Sequence, residues 1–341
     1  MGIVASAPGK LVLTGEYAVL EGAPAIVLAL DRRARVTLRD NAGAGYVIDA
    51  PDLGVHDALG YLDGQQHFHW NSVDAIATDR LALVASVLET MALDGALPGF
   101  HATLDTHTFF STASGHHKLG LGSSAALTVA LAGAIHARAG RGAPSAGRLL
   151  AAHRRLQGGR GSGLDVAASL TGGAIGYRLR AGQPQITPVA WPTGLLFACA
   201  WSGKAASTGV FLRQLAAWRE HVPARYTTLM RELARCAEAA AAAFADNLVS
   251  TLLEAITAYA AGLARLGAAS GLDIVSAEHR VLAAIAAECG VVYKTCGAGG
   301  GDIGIALTVD AERLQAFRQR VAQAGLQTLD VQLEPHGLQV N

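Results

Sequence analysis

Lysine is scarce in this chain. Of 27 basic residues only four are lysine, Lys10, Lys118, Lys204 and Lys294, and arginine supplies the rest. A chain that uses arginine for solvated charge keeps lysine where it needs a compact ammonium, which a planar guanidinium cannot replace. All four lie in or beside glycine- or serine-rich segments. Net charge is missing too: 27 acidic residues against 27 basic give zero. That excludes a general binder of nucleic acid or of an anionic membrane, so any anion site must be local. The four cysteines, Cys199, Cys236, Cys289 and Cys296, include no C-x-x-C pair. Such spacing argues against a disulfide frame or zinc site and for reduced thiols. The chain opens with no basic stretch followed by an apolar signal region, and no uncharged run reaches membrane-spanning length. These absences predict a cytoplasmic protein whose partner is neither nucleic acid nor membrane.

What is present is apolar: 51% hydrophobic and 16% charged residues over 341 positions. That is long for one core and comfortable for two.

The organising stretch is Lys118-Leu-Gly-Leu-Gly-Ser-Ser-Ala-Ala-Leu127. Gly120 and Gly122 let backbone pass where any Cβ would clash. An alanine-rich segment predicts a helix over 124–138. A glycine loop opening into a helix aims free N–H groups and the positive dipole end at one point, which suits phosphate. Ser123 and Ser124 offer hydroxyls as a helix cap or a metal ligand. A serine-capped glycine turn would have the same pattern, and it matches neither the Walker loop nor Gly-x-Gly-x-x-Gly.

Strands are predicted at 3–7 and 11–14 around Pro8-Gly9-Lys10, then at 25–30, 35–39 and 45–49. The stretch 51–75 reads as irregular, with His67 and His69 in a surface loop. Helices follow at 81–93, 124–138 and 144–156, with strands at 99–105 and 172–177. Pro184 to Pro192 reads as a crossing into a second half. That half opens with a strand at 195–200 and is helical from 209 to about 287. It closes with a β-β-α-β order, suited to a helix-backed antiparallel sheet.

Two further glycine loops carry chemistry. Gly161-Ser-Gly-Leu-Asp165 puts a carboxylate at a helix start, either as a plain first-turn charge or as a group aligning a substrate hydroxyl. Lys10 would be the cation that holds this aspartate or a migrating phosphoryl group. Lys294-Thr-Cys-Gly-Ala-Gly-Gly-Gly-Asp-Ile-Gly304 has five glycines in the eight residues from 297. Its backbone must pack tightly against a ligand or against the first loop.

Pro8-Gly9-Lys10 with Gly15-Glu16, then Gly120-Leu-Gly-Ser-Ser-Ala-Ala126, then Gly297-Ala-Gly-Gly-Gly-Asp302 resemble, in order, the three motifs of the galactokinase–homoserine kinase–mevalonate kinase–phosphomevalonate kinase (GHMP) superfamily. The resemblance spans the chain. It implies an α+β, two-domain kinase using ATP and Mg²⁺. An N-terminal domain related to ribosomal protein S5 domain 2 would cover 1–187, and a helix-rich ferredoxin-like domain 188–341. Within the superfamily the chain is most similar to the phosphomevalonate kinases. The signs are Asp105-Thr-His-Thr-Phe-Phe110, the loop from Gln157 to Ala168, and Trp201-Ser-Gly-Lys-Ala-Ala-Ser-Thr208.

Carried over by position, the resemblance makes Lys10 and Asp165 the catalytic pair. Lys118, Gly120, Leu121, Gly122, Ser123, Ser124 and Ala125 would line the nucleotide phosphates, with Ser124 also a Mg²⁺ ligand. Glu16, Tyr17, Ser162, Gly163, Lys204, Ser207, Thr208, Gly299, Gly300 and Asp302 would face a small phosphorylated hydroxy acid. The implied assembly is a monomer or homodimer. Mevalonate kinases bear a magnesium-binding glutamate on the helix before the second loop, whereas 144–156 has no carboxylate. Asp105 or Asp302 would have to substitute, or Mg²⁺ would keep water there. Arg154, Arg155 and Arg160 would favour an anionic acceptor, and His116 and His117 precede Lys118. The rivals are a mevalonate kinase, a diphosphomevalonate decarboxylase, and a non-catalytic relative that binds ligand without turnover.

Overall fold

The computed structural model describes residues 2–41, 43, 45–71, 73–93, 95, 97–111, 117–156, 159 and 161–341. Among these, nine strands form one mixed sheet. At its centre β1 (Ile3–Thr14) runs antiparallel to β2 (Ala25–Asp40). Both were predicted as broken pairs of strands. Instead Pro8 faces Arg33 and Gly9 faces Leu30, so Asp31 and Arg32 bulge from β2 and both strands continue. A bulge bends a strand and re-aims the next side chain without ending it; here that side chain is Lys10.

The predicted irregular stretch 51–75 is partly strand. β3 (Tyr46–Ala50), β4 (Val55–Leu62) and β5 (Phe68–Trp70) form an antiparallel ribbon, and β6 (Phe100–Asp105) joins β3 to β2. Gly60 gives Phe68 its space, since a Cβ there would lie 2.3 Å from the ring. His67 and His69 are exposed as expected, and His69 shares a 2.8 Å hydrogen bond with Asp63. A short ribbon pairs β7 (Phe110–Ser111) with β8 (His117–Lys118).

β9 (Ala174–Arg180) and β10 (Gln183–Val189) extend the other flank. The predicted crossing at Pro184 is therefore a strand. It holds Pro184 and Pro188 because it lies at the sheet edge, where a missing N–H breaks no inner ladder. Helices back this sheet: α1 (Ala75–Arg80), α2 (Ala82–Ala92), α3 (Ser123–Arg138), α4 (Ala146–Leu156) and α5 (Leu164–Thr171). α3 packs on β1 and β2 and is buried on nearly every side, which its small alanines permit.

In the second half β11 (Leu196–Trp201) leads into α6 (Thr208–His221), α7 (Pro223–Ala245), α8 (Val249–Ser270) and α9 (Ala277–Glu288). The long helical run divides where its sequence says it should. Pro223 starts α7, left-handed Gly271 ends α8, and the Ser276 hydroxyl accepts from His279 N–H to start α9. β12 (Val292–Thr295), β13 (Ile303–Thr308), α10 (Ala311–Gln323) and β14 (Gln327–Leu329) follow, and the strands form an antiparallel sheet in the order β12-β13-β11-β14. The β-β-α-β tail was legible. β15 (Gln339–Val340) was not: the chain returns to the first sheet and pairs with β1 at Ala5 and Ser6. Among the described residues, no helix is long and apolar enough to cross a membrane.

Candidate active site

β1, the first glycine loop, α5, the start of α6 and the third glycine loop converge on one cleft. Its larger chamber, about 300 Å³, is lined by Lys10, Lys118, Ser124, Asp165 and Asp302 among others. A smaller one of about 100 Å³ shares Lys10, Val12, Asp165, Thr208, Gly297 and Ala298 with it. Its remaining wall includes Val19, Leu20, Leu164 and Leu212. One chamber is polar and the other largely apolar.

Gly120 and Gly122 have φ of 77° and 81°, a region glycine enters at no steric cost. A Cβ on Gly120 would lie 2.2 Å from Asp302 Cγ, and one on Gly122 would lie 3.0 Å from Lys10 Cε. The glycines therefore let the loop close around two charged side chains. Gly9 is equally constrained by Leu121 O, 2.7 Å from its would-be Cβ, and Lys10 N donates to that same oxygen at 2.8 Å. Strand and loop are locked together, and Gly120, Leu121, Gly122, Ser124 and Ala125 all line the larger chamber. The predicted serine cap is absent: Gly122 precedes α3 and no side chain caps its first turn. Ser123 is buried and, unlike Ser124, lines neither chamber.

The electrostatics are local, as zero net charge required. Asp302 holds φ of 56°, which glycine would adopt more easily, and its Oδ1 accepts from Ala206 N–H at 3.1 Å. Burial pushes its carboxyl up, while that hydrogen bond, Lys10 and Lys118 pull it down. Lys118 is open to the cleft, yet the surrounding protein desolvates its ammonium and lowers its pKa; Asp302 opposes this and Lys10 adds to it. Two cations, Lys10 and Lys118, and two carboxylates, Asp165 and Asp302, thus share this chamber. Asp165 starts α5 behind left-handed Gly163, whose Cβ would strike Leu150 at 2.1 Å. Its Oδ1 accepts from Val166 N–H at 2.9 Å.

Glu16 and Tyr17 reach the smaller chamber, but their polar ends are committed elsewhere. Glu16 is paired with Lys294, and Tyr17 Oη donates to Ala298 O. Burial raises the Glu16 carboxyl and the Lys294 ammonium works against it. Tyr259 Oη closes the group by donating to Glu16 O at 2.7 Å. Ser162 lines the smaller chamber while its carbonyl accepts from Tyr177 Oη at 2.5 Å. Gly163 serves packing against Leu150.

Several predicted site residues lie outside the cleft. Lys204 does not reach either chamber: its Nζ sits 2.5 Å from Glu278 Oε1, which pulls that carboxyl down to about 2. Ser207 precedes α6 without capping it, while Thr208 lines both chambers. Gly299 and Gly300 turn to the protein, with would-be Cβ positions 2.2 Å from Ile274 O and 2.3 Å from Phe211 Cζ. Asp105 is bonded to His107 away from the chambers, which leaves Asp302 as the carboxylate of the two beside the first loop. Arg154 Nε donates to Gly161 O at 2.7 Å and Arg155 pairs with Glu89 at 2.8 Å, so neither guanidinium is spare. His117 lies against Trp201, with ring centroids 6.0 Å apart. Gln157, Arg160 and His116 lie outside the described residues.

Gly297 and Ala298 of the third motif line the larger chamber, as do two residues overlooked in the sequence, Cys296 and His153. Burial pushes the Cys296 thiol up to about 12, so it is a neutral wall group. His153 did leave a signal. It falls in phase with Leu149 and Leu150 on the buried face of α4, where a polar ring is out of place.

A bulged lysine strand locked to a glycine loop at a helix start, with an aspartate across the chamber, defines a phosphate-handling cleft. The sequence profile of the GHMP kinases N terminal domain matches residues 82–173. A phosphomevalonate kinase of Streptomyces sp. (strain CL190) is 34% identical, with 95% of each chain covered. The chain belongs to the GHMP kinase family. A mevalonate kinase of Aeropyrum pernix is 29% identical over 94% of this chain and 96% of its own. The fold also matches Streptococcus pneumoniae phosphomevalonate kinase, solved with phosphomevalonate and AMPPNP. The TM-score is 0.77 at 19% identity, covering 97% and 99% of the two chains.

Proposed function

We propose that this protein is a phosphotransferase of the mevalonate pathway that moves the γ-phosphoryl group of ATP onto the 5-phosphate of phosphomevalonate, releasing ADP and 5-diphosphomevalonate. The observation that carries the proposal is the convergence of Lys10, Lys118, Ser124 and Asp165 on a chamber floored by the first glycine loop. The 34% identity to a phosphomevalonate kinase supports this acceptor.

The larger chamber fits a nucleotide's phosphates in chemistry. Helix α3 turns its first N–H groups there, and two ammonium groups offset charge spread over the transferring group. ATP supplies the phosphoryl group. Mg²⁺, which neutralises phosphate oxygens, would be held by the Ser124 hydroxyl and the Asp302 carboxylate. Mg²⁺ keeps several water and phosphate ligands, so two protein oxygens would suffice. Lys10, in both chambers, neutralises charge between donor and acceptor. Asp165 aligns the attacking phosphate oxygen. An acceptor phosphate is already ionised near neutral pH, so no strong base is required. Val12, Val19, Leu164 and Leu212 receive the acceptor's hydrocarbon and exclude water from the reacting phosphorus.

One observation favours mevalonate as acceptor instead. With Lys204 held by Glu278, Lys10 is the one described cation lining the smaller chamber, and Asp165 would then act as base for a hydroxyl. ADP release with ATP, Mg²⁺ and either acceptor separates the two. Turnover on phosphomevalonate alone supports the proposal, and turnover on mevalonate alone overturns it.

A further inference from the structure

His153 takes no part in the chemistry above, yet its surroundings are those of a working group. Its side chain is 3% exposed, and its Nδ1 is sealed from solvent without a hydrogen-bond partner among the described residues. That nitrogen lies 3.7 Å from Asp165 Oδ1, too far for a hydrogen bond. The ring lines the larger chamber beside Lys10, Ser124 and Asp165. Buried polar groups are nearly always paired, because an unmade hydrogen bond forfeits the water it displaced.

Loose packing is not the cause. Ser86 Oγ donates to Ala152 O at 2.7 Å, Arg154 Nε donates to Gly161 O at 2.7 Å, and Gly163 closes on Leu150. The first contact holds α4 on α2 and the other two hold it against the loop that opens into α5, which sets the imidazole 3.7 Å from the carboxylate. Among the described residues Asp165 accepts a hydrogen bond only at Oδ1, from the adjacent Val166 N–H.

We propose that His153 is a positioning residue for phosphoryl transfer. With substrates bound, its Nδ1–H donates to Asp165 Oδ1 and fixes the carboxylate with Oδ2 turned to the acceptor's attacking oxygen. The inference rests on the assignment of Asp165 to the acceptor under the proposed function. Closing the gap takes a movement of about 0.7 Å, and hydrogen bonds of this kind are commonly long before substrate binds. The ring donates from Nδ1, and no proton leaves it during transfer.

The test combines kinetics and a structure of the full chain. His153→Ala is expected to lower kcat about 10-fold or more, with KM for ATP and acceptor changed less than about 3-fold. His153→Asn, whose amide nitrogen reaches the place of Nδ1, is expected to recover kcat to within about 3-fold of the parent. In an Asp165→Asn background, His153→Ala should add nothing. Unchanged kcat, a loss confined to KM for ATP, a raised Mg²⁺ requirement, or full additivity with Asp165→Asn would each overturn the proposal. A crystal structure with a non-hydrolysable ATP analogue and Mg²⁺ decides the point even where His153→Ala fails to fold. A separation of Nδ1 and Oδ1 within about 3.2 Å is expected, and one beyond about 3.5 Å overturns it. If the parent enzyme turns over neither acceptor, the proposed function fails, and that structure still answers for His153.

Discussion

Lys294 and Glu16, 278 residues apart, form an ion pair whose side chains are 0% and 3% exposed. The pair ties β12 of the second sheet to the turn after β1, beside the loops that carry Tyr17 and Ala298. Lys294 also donates to Thr295 O at 2.6 Å and lies 5.8 Å from the Tyr259 ring centroid. Among the described residues Glu16 Oε2 meets no hydrogen-bond partner of good geometry.

Removing one member should strand the other charge. Lys294→Met is expected to destabilise the protein by about 3–5 kcal/mol, measured by urea unfolding. The double variant with Glu16→Gln should regain much of that loss, because burying two neutral groups costs less than one unpaired ion. A single-variant loss under about 1 kcal/mol would mean that the pair is not sealed in solution.

Gly120→Ala combines a left-handed backbone with a methyl group 2.2 Å from Asp302 Cγ. Displacing Asp302 opens the first loop, and a fall in kcat/KM of about 100-fold is expected, with about 1–3 kcal/mol of stability lost. Gly297→Ala, also left-handed but with nothing within 4 Å of the new methyl, should lose less of both. Equal losses would assign the effect to backbone strain alone.

Lys10→Met is expected to lower kcat by about 100-fold or more, since Lys10 is the cation common to both chambers. Lys204→Ala should change kcat/KM by less than about 3-fold, its ammonium being held by Glu278. Steady-state ADP release measures both. A large Lys204 effect would place that side chain in the cleft after all.

His279 gives a pH prediction with a definite sign. Burial lowers its pKa, and its nitrogens engage Tyr293 Oη and Gly301 O, each at 2.8 Å. The unfolded chain therefore binds a proton more readily than the folded one. Stability should fall as pH drops through the ordinary histidine range near 6.5 and below. Glu16 and Asp302, both raised, act with the opposite sign nearer the carboxylate range. Urea unfolding of His279→Gln between pH 5 and 7.5 should show a flatter dependence than the parent. An unaltered slope would remove His279 from the account.

The three glycine loops, the order of the motifs and the β-β-α-β tail were legible because glycine and periodicity are local signals. The destination of each close approach was not. Gly299 and Gly300 announce a tight backbone equally well whether the neighbour is a ligand or, as here, Ile274 and Phe211. Lys204 and Lys294 look alike in sequence, yet one pairs with Glu278 at the surface and the other with Glu16 in the core. Such pairings depend on residues tens to hundreds of positions away. β4 and β5 escaped because histidine, aspartate and glycine mask their alternation, and β15 because a two-residue strand leaves no period.

Phosphorus NMR of the reaction mixture tests phosphoryl transfer to phosphomevalonate most directly. With ATP, Mg²⁺ and phosphomevalonate, the 5-phosphate resonance should give way to two coupled diphosphate signals in step with ADP. An unchanged 5-phosphate resonance while mevalonate gains a phosphate in a parallel tube would contradict it.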